Sequence, residues 1–360
     1  MERQLQVGIV GANARPGRLE ALHLKAISEL PGFKLAAVAS REGRAAETAA
    51  AFGAGAGYAD PQRLLADPSI DIVTVVGDAP ARRDVLLSAI EAGKAVYADY
   101  PAGRDTAEAL ELAAAAQYAR RTVAVGLQMR ASPAAAKARE LIALGAIGRV
   151  RSAAVTCRTR TPAATALAEG EASGANPAIV QGAHMFDTAI AVLGPLTGVS
   201  AMTFPSSAEV DVEHSRDDDG DMRCGFRQLL AQARLTGGQA ISFDLAVGRP
   251  SCDRPFEMIV VGETGALRLC GGAPEGVQFG RLRLSVNDAP VFVDEGEAAA
   301  LPDAAANVAL VYGRLRDRIR GGVETSVDFE HALRLALLMN DILRSSRDQS
   351  WKSAHGWPEG

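Results

Sequence analysis

The chain opens with a short apolar run, a turn that contains glycine, and a stretch of helical periodicity. Residues 5–10 form the apolar run, residues 11–17 form the turn, and apolar residues recur at helical spacing over residues 18–30. In a strand–turn–helix unit of this kind, backbone N–H groups and the helix N-terminus can face a pyrophosphate. The opening segment therefore predicts a parallel α/β fold that binds a dinucleotide.

The turn departs from the G-x-G-x-x-G pattern that is usual for such units. It reads Gly11-x-Asn13-x-x-x-Gly17, with asparagine at the second glycine position and one extra residue. Asparagine tolerates the left-handed backbone region better than other non-glycine residues, so the turn can keep its shape. We expect Gly11, Ala12, Asn13, Gly17 and Arg18 to contact the cofactor.

Composition excludes several classes of protein. The chain has 360 residues, 48% of them hydrophobic, which is enough for two domains with their own cores. A net charge of −5 argues against a nucleic-acid partner, since nucleic-acid binders usually carry a basic face. The sequence shows no signal peptide and no apolar run of membrane-spanning length, so we predict a cytoplasmic protein with no membrane partner.

No metal site is expected from the residue pattern. The four cysteines are widely spaced, which favours free thiols over a zinc site. The acidic run at residues 217–221 lacks the ligand spacing of a calcium loop, and a solvated turn explains it better.

The predicted secondary structure changes near residue 125. Through residues 1–125, strands alternate with helices, which predicts a doubly wound parallel sheet with helices on both faces. Residues 126–360 are dominated by alternating strands with glycine-bearing turns, which predicts an α+β domain with a large, mainly antiparallel open sheet. The fold class is therefore α/β in two domains, and we expect the last helix to pack back on the first domain.

The end of the second expected strand distinguishes between the two nicotinamide cofactors. Enzymes that use NAD place an acidic residue there for the ribose 2′-hydroxyl, whereas the 2′-phosphate of NADP needs the opposite charge. Here the strand ends with Ser40 and Arg41, and Arg44 lies close by. A hydroxyl and a guanidinium suit a phosphate, so we predict NADP over NAD; the alternative is an arginine that is merely exposed on a loop.

Several motifs give the chain a resemblance to a known family. Residues 79–82 read A-P-A-R, residues 92–101 read A-G-K-A-V-Y-A-D-Y-P, residues 126–133 read G-L-Q-M-R-A-S-P, and residues 182–187 read G-A-H-M-F-D. The chain resembles the Gfo/Idh/MocA oxidoreductase family over its whole length. Within that family it looks most like the branch of the yeast galactose repressor and its bacterial relatives.

The resemblance implies an NAD(P)-dependent oxidoreductase with a Rossmann-type first domain. It implies cofactor contacts from Ala79, Pro80, Arg82, Asp99 and Tyr100. It also implies a small-molecule substrate, such as a sugar or a cyclitol, and a homo-oligomer, either a dimer or a tetramer.

The catalytic set of the family is only partly present. Its enzymes usually hold a lysine before the motif proline, and an aspartate and a histidine four residues apart on a helix. Tyr100 stands at the lysine position and Val180 at the aspartate position, while His184 matches the histidine. We expect His184 to transfer the hydroxyl proton, Tyr100 either to share that step or to stack on the nicotinamide, and Asp187 to orient the imidazole. Asp99 would bind ribose or substrate hydroxyls, or cap the turn.

Two more polar residues follow the sixth expected strand. Gln128 and Arg130 could bind a polyol or a carboxylate, and Gln128 could also contact the cofactor. The alternative for Arg130 is an interdomain salt bridge. The predicted substrate contacts are thus Tyr100, Gln128, Arg130, His184 and Asp187.

The sequence therefore favours an NADP-dependent oxidoreductase that moves hydride between nicotinamide and a hydroxyl or carbonyl carbon of a sugar, a cyclitol or a similar molecule. A second class of function is also consistent with the sequence, namely a sensor that binds NADP and a sugar-like ligand without turnover. The missing lysine and the valine at position 180 suit such a sensor. A reductase or dehydrogenase of a non-sugar carbonyl compound is a further alternative.

Overall fold

Contacts divide the chain into two compact units. The first contains residues 1–127 and 296–333, and the second contains residues 128–295 and 334–360. The expected boundary near residue 125 and the return of the last helix to the first domain stay predictions. The computed structural model describes residues 3–11, 18–40, 44–76, 82–160, 177–205, 226–248, 253–322 and 327–354.

The first unit is built on a six-stranded sheet, whose strands are β1 (Leu5–Val10), β2 (Phe33–Ala39), β3 (Ala56–Tyr58), β4 (Ile72–Val75), β5 (Ala95–Asp99) and β6 (Val123–Gly126). The strand order is β3-β2-β1-β4-β5-β6, and every neighbouring pair is parallel. All residues of β4 and β6 are buried, as expected for strands that are covered on both faces. The doubly wound parallel sheet is confirmed.

The second unit is built on a nine-stranded sheet, whose strands are β7 (Val150–Arg158), β8 (Leu196–Pro205), β9 (Phe226–Leu235), β10 (Ala240–Ala246), β11 (Phe256–Gly262), β12 (Ala266–Gly271), β13 (Leu282–Val286), β14 (Ala289–Val291) and β15 (Lys352–Ser353). The strand order is β14-β13-β12-β11-β7-β10-β9-β8-β15. Neighbouring strands are antiparallel except for β7 and β10, so the expected mainly antiparallel sheet is confirmed.

Helices accompany both sheets. Asp60, Asp105 and Ser132 cap three of them, because each side chain accepts a hydrogen bond from a backbone N–H group in the first helical turn. Within the described ranges, no helix combines the length and the apolar character that a bilayer span needs. The helices are α1 (Arg18–Glu29), α2 (Ala45–Phe52), α3 (Pro61–Leu65), α4 (Arg82–Glu91), α5 (Thr106–Ala119), α6 (Pro133–Ala143), α7 (Pro177–Leu193), α8 (Asp303–Ile319) and α9 (Phe329–Asp348).

Helices α1, α7 and α8 carry polar residues of the candidate site. In the first unit, α8 packs against α1 and against β5 and β6. In the second unit, α7 packs on β7, β9 and β10, and nearly all of its residues are buried. The polar side chains on the buried faces of these helices, such as His23, Tyr312 and His184, are therefore held inside their units.

Helix α9 is tied to the second sheet by a buried serine. The Ser345 hydroxyl accepts a hydrogen bond from the Ala201 backbone N–H at 2.9 Å and donates to the Ser350 carbonyl at 2.6 Å. The Ser345 residue is fully buried, so water cannot replace either partner.

Ser345→Ala is therefore expected to lower the free energy of unfolding by about 1–3 kcal/mol, because it leaves a buried N–H group unsatisfied. Ser28→Ala is the matched control, since the exposed Ser28 hydroxyl only donates to the Lys25 carbonyl of its own helix. Urea unfolding followed by circular dichroism measures both variants. Equal losses in the two variants would contradict this assignment.

Candidate functional site

The carboxyl ends of the parallel strands meet at one edge of the first sheet. Gly11 follows β1, Ser40 follows β2, and Tyr100 follows β5. Strand β1 lies between β2 and β4, which is the point where the strand order reverses direction. Doubly wound sheets bind ligands outside the strand ends at such a point. This edge is the candidate dinucleotide site.

Gly11 allows the backbone to pass close to the neighbouring strand. Its φ is +95°, and a Cβ atom placed on it would lie 2.3 Å from the Val76 carbonyl oxygen. A side chain is therefore excluded at this position, and the bare backbone is available for close approach by a phosphate.

Ser40 places a buried hydroxyl at the same edge. The residue is 2% exposed, and its backbone N–H donates to the Tyr58 carbonyl at 3.0 Å. Its Oγ atom has no hydrogen-bond partner within the described residues. A buried hydroxyl without a partner costs free energy, which a ribose hydroxyl or a phosphate oxygen would recover. Arg44, at the start of α2, is exposed.

Several predicted cofactor contacts cannot be located from the structure. The side chain of Arg18 is not among the described parts. Six further residues lie outside the described ranges, namely Ala12, Asn13, Gly17, Arg41, Ala79 and Pro80.

The loop after β5 gathers three of the predicted residues. Tyr100 is 9% exposed and is joined to Pro101 by a cis peptide bond. Arg82, at the start of α4, donates from Nη1 to the Pro101 carbonyl at 2.6 Å. The Asp99 carboxylate lies 3.2 Å from Nε2 of His23. Arg82 therefore holds the loop that carries Tyr100, whatever contact it makes with a cofactor.

Sequence reasoning missed the residues behind this loop. His23 on α1 lies 3.0 Å from the Tyr312 hydroxyl on α8, which lies 2.8 Å from the Thr74 hydroxyl on β4. Burial raises the pKa of Tyr312, and the nearby Asp99 charge adds to that effect while the Thr74 hydrogen bond opposes it. One signal was available in the sequence, since His23 lies on the face of α1 that its spacing predicts to be buried.

The second unit has its own buried polar cluster. His184 and Asp187 lie one turn apart on α7 and are 3% and 1% exposed. The guanidinium Nε of Arg130 lies 3.4 Å from the Asp187 carboxylate. Both partners belong to the second unit, so this ion pair is not the interdomain salt bridge that was one alternative for Arg130.

Neighbouring contacts hold α7 in position. The Gln181 amide accepts from the Val277 N–H at 2.9 Å and donates to the Gln278 side chain at 3.1 Å. A Cβ atom on Gly182 would lie 3.3 Å from side-chain atoms of β10 and α9, so the small residue permits close packing. The polar face of α7 is thus rigidly supported.

Gln128 adds an amide to the polar groups of the second unit. It lies in a short 3-10 helix, Gln128–Ala131, and is 6% exposed. Its Oε1 atom has no hydrogen-bond partner within the described residues, so it can still accept one from a ligand hydroxyl. Among those residues, no group of three histidine, cysteine or acidic side chains is arranged to hold a metal ion.

Two family models match the chain. The model described as "Oxidoreductase family, NAD-binding Rossmann fold" matches residues 5–127, and the model of the Gfo/Idh/MocA C-terminal domain matches residues 135–268. Together they span most of the chain and both units.

Individual relatives and structures agree with the family models. Dehydrogenase aclE from Aspergillus oryzae is 28% identical over 292 residues, which cover 75% of this chain and 78% of that protein. The scyllo-inositol 2-dehydrogenase (NAD(+)) of Bacillus subtilis is 32% identical over 154 residues, which cover 41% of this chain and less than half, 43%, of that protein.

The fold matches that of a solved enzyme complex. A structure of levoglucosan dehydrogenase with NADH and L-sorbose shares 20% identity with the chain and has a TM-score of 0.78, covering 98% of this chain and 99% of that one. This likeness shows a shared fold. With both family models matched in order along the sequence, the chain belongs to the Gfo/Idh/MocA oxidoreductase family.

Proposed function

We propose that this protein transfers hydride between NADP and a hydroxyl or carbonyl carbon of a sugar, a cyclitol or a similar small molecule. The observation that carries the proposal is the buried pair of His184 and Asp187, with Arg130 bound to the Asp187 carboxylate, in a chain of an oxidoreductase family. An imidazole held inside the protein beside a paired carboxylate is suited to proton transfer. The names of the inositol and levoglucosan enzymes support a substrate rich in hydroxyl groups.

The proposed reaction needs a cofactor site and a proton-transfer group. Gly11, Ser40 and Arg41 hold the nicotinamide nucleotide, which supplies or accepts the hydride when bound. His184 accepts the hydroxyl proton when the substrate is oxidised and returns it when the substrate is reduced. Asp187, held by Arg130, fixes the charge around the imidazole.

In this proposal, two polar residues of the 3-10 helix, Gln128 and Arg130, orient the substrate. Gln128 presents a buried amide oxygen, and the Arg130 side chain is 19% exposed, so both can meet hydroxyl groups. Tyr100, at the position of the family's lysine, either shares the proton transfer or stacks on the nicotinamide.

The preference for NADP rests on this chain's own residues. Ser40 offers a buried hydroxyl, and Arg41 offers the positive charge that a 2′-phosphate needs. Two of the three similar proteins named above carry NAD(+) or NADH in their names, so the predicted preference for NADP depends mainly on Arg41.

A sensor of NADP and a sugar-like ligand is the second candidate function. Tyr100 replaces the lysine, and Val180 replaces the aspartate, that catalytic members of the family usually hold. Membership of the branch that resembles the galactose repressor would fit this function, because a regulator needs binding without turnover.

Assembly into a homo-oligomer is also part of the proposal. The apolar side chains of Met202 and Leu230 stand opposite each other on β8 and β9, and both are exposed. Phe204, two residues along β8, is 38% exposed on the same face. Exposed apolar neighbours of this kind are suited to contact with another chain.

Arg41→Glu tests the choice of cofactor. The variant should bind NADP about tenfold or more weakly, since it loses a charge-assisted hydrogen bond and gains repulsion, while its Kd for NAD changes little. Arg63→Glu is a charge-matched control on α3 of the same unit, and it should leave both constants unchanged. Isothermal titration calorimetry measures them. A wild-type protein that binds NAD more tightly than NADP would contradict the prediction.

His184→Ala tests the proton transfer. We expect kcat to fall by about 10²–10⁴-fold, the usual contribution of a general acid–base group, with little change in the Kd of the cofactor. His331→Ala, a half-buried histidine at the start of α9, is the control. Retention of kcat by the His184 variant would exclude the proposed proton transfer.

A substrate panel separates the enzyme from the sensor. NADPH absorbance is followed with ketoses, cyclitol ketones and aldehydes, and cofactor binding is measured on the same protein. An enzyme oxidises NADPH with at least one member of the panel. Tight NADPH binding without any oxidation would favour the sensor.

A further inference from the structure

A chain of buried polar groups runs through the first unit to the edge of its sheet. It starts at the Thr74 hydroxyl, continues through the Tyr312 hydroxyl at 2.8 Å and the Nδ1 atom of His23 at 3.0 Å, and ends where Nε2 of His23 meets the Asp99 carboxylate at 3.2 Å. Thr74, Tyr312 and His23 are at most 1% exposed, and Asp99 is 7% exposed. The four residues come from β4, α8, α1 and β5.

The proton positions in this chain follow from what each group can donate. An ionised Asp99 carboxylate only accepts, so Nε2 of His23 must carry a hydrogen. When Nε2 carries the only ring hydrogen, Nδ1 offers a lone pair, and the Tyr312 hydroxyl donates to it. Burial raises the pKa of Tyr312 above its ordinary value, so this phenol keeps its proton. Thr74 in turn donates to the Tyr312 oxygen, and every hydrogen bond points toward Asp99.

Aromatic packing prevents the imidazole from turning. The ring of Tyr97 meets the His23 ring edge-on with centroids 4.9 Å apart, and the ring of Tyr312 meets it edge-on at 5.7 Å. The two tyrosine rings stack on each other at 4.7 Å. In this packing, Nε2 of His23 faces the Asp99 carboxylate and Nδ1 faces the Tyr312 hydroxyl.

We propose that His23 is a positioning residue for Asp99, with Tyr312 fixing its Nε2–H tautomer. The imidazole holds the carboxylate in one rotamer at the end of β5, directly before Tyr100. There the carboxylate accepts hydrogen bonds from hydroxyl groups of the nicotinamide nucleotide. The inference rests on the proposed function, because the hydroxyl groups that Asp99 binds belong to the proposed cofactor. Groups held in place before binding lose less entropy on binding, so a fixed Asp99 increases affinity.

Two amide variants of His23 separate positioning from packing. His23→Gln keeps an N–H donor near the Nε2 position, whereas His23→Asn keeps polar atoms only near Nδ1. The Asn variant should bind NADPH about tenfold or more weakly, the loss expected for a hydrogen bond to a charged group, while the Gln variant stays close to wild type. KM for the cofactor should rise in the Asn variant with little change in kcat. Equal Kd values for the two variants would overturn the inference.

Tyr312→Phe tests the tautomer without a full loss of packing. It removes the donor to Nδ1, so NADPH binding should weaken in the same direction as in the Asn variant. Tyr58→Phe is the matched control, because the Tyr58 hydroxyl donates to Asp67 at 2.9 Å in the same unit, away from His23. If the two phenylalanine variants bind NADPH equally well, the tautomer assignment is wrong.

Nitrogen-15 NMR of the histidine rings gives a readout that needs no cofactor. The chain has five histidines, and the His23→Asn spectrum identifies the signal of residue 23 by its absence. We expect a protonated Nε2 and an unprotonated Nδ1 in the wild type. In Tyr312→Phe the Asp99 carboxylate still favours this tautomer, but a fraction of the rings should carry the hydrogen on Nδ1. A protonated Nδ1 in the wild type would overturn the inference even if NADPH binds.

The outcomes also separate this inference from the proposed function. A wild-type protein that binds no nicotinamide nucleotide refutes both. A wild-type protein that binds NADPH, with Asn and Gln variants that bind it equally, refutes only the positioning by His23.

Discussion

The parallel pairing of the first six strands determines where this protein can bind a ligand. Because β1, β2 and β5 run in one direction, their carboxyl ends and the residues that follow them lie at one edge. Strands β4 and β6 are wholly buried, so ligand contacts are expected at the strand ends. Gly11 and Ser40 lie directly after their strands, and Asp99 is the last residue of β5. The location of the proposed cofactor site thus follows from the sheet.

Buried charges in both units are kept in place by partners. In the first unit the Asp99 carboxylate meets His23, and in the second the Asp187 carboxylate meets Arg130. The pair of Arg130 and Asp187 is an ion pair, and a buried ion pair adds little net stability, but removing Arg130 would cost about 3–5 kcal/mol because the Asp187 charge is left alone. Such pairs are better explained by the geometry that they impose than by stability. Each one orients a carboxylate, and each carboxylate belongs to the proposed reaction.

Periodicity predicted the long elements well and the short ones poorly. Strands β7 and β9 lie in the strand-rich region that the sequence predicts after residue 125, and each is long enough to show clear alternation. The short β3 and α3 were not predicted, since three and five residues carry too little pattern. Their positions depend on packing against β2, which local sequence does not encode.

The candidate site residues were chosen from motifs and from the ends of expected strands. The family resemblance pointed to His184 and Asp187, and the structure buries both. The resemblance did not predict that Arg130 pairs with Asp187. It also did not predict that Tyr312 contacts His23. That last contact joins residues 289 positions apart, so no local pattern could reveal it. Only the packing of α8 on α1 brings the two together.

Isotope transfer tests the central claim of hydride transfer most directly. The protein is incubated with NADPH that carries deuterium at both positions of nicotinamide C4 and with a ketone of a sugar or a cyclitol, and the product is examined by mass spectrometry and NMR. Hydride transfer predicts one deuterium on the carbon that carried the carbonyl oxygen. Binding of NADPH and of the ketone with no deuterium in any product would contradict the account.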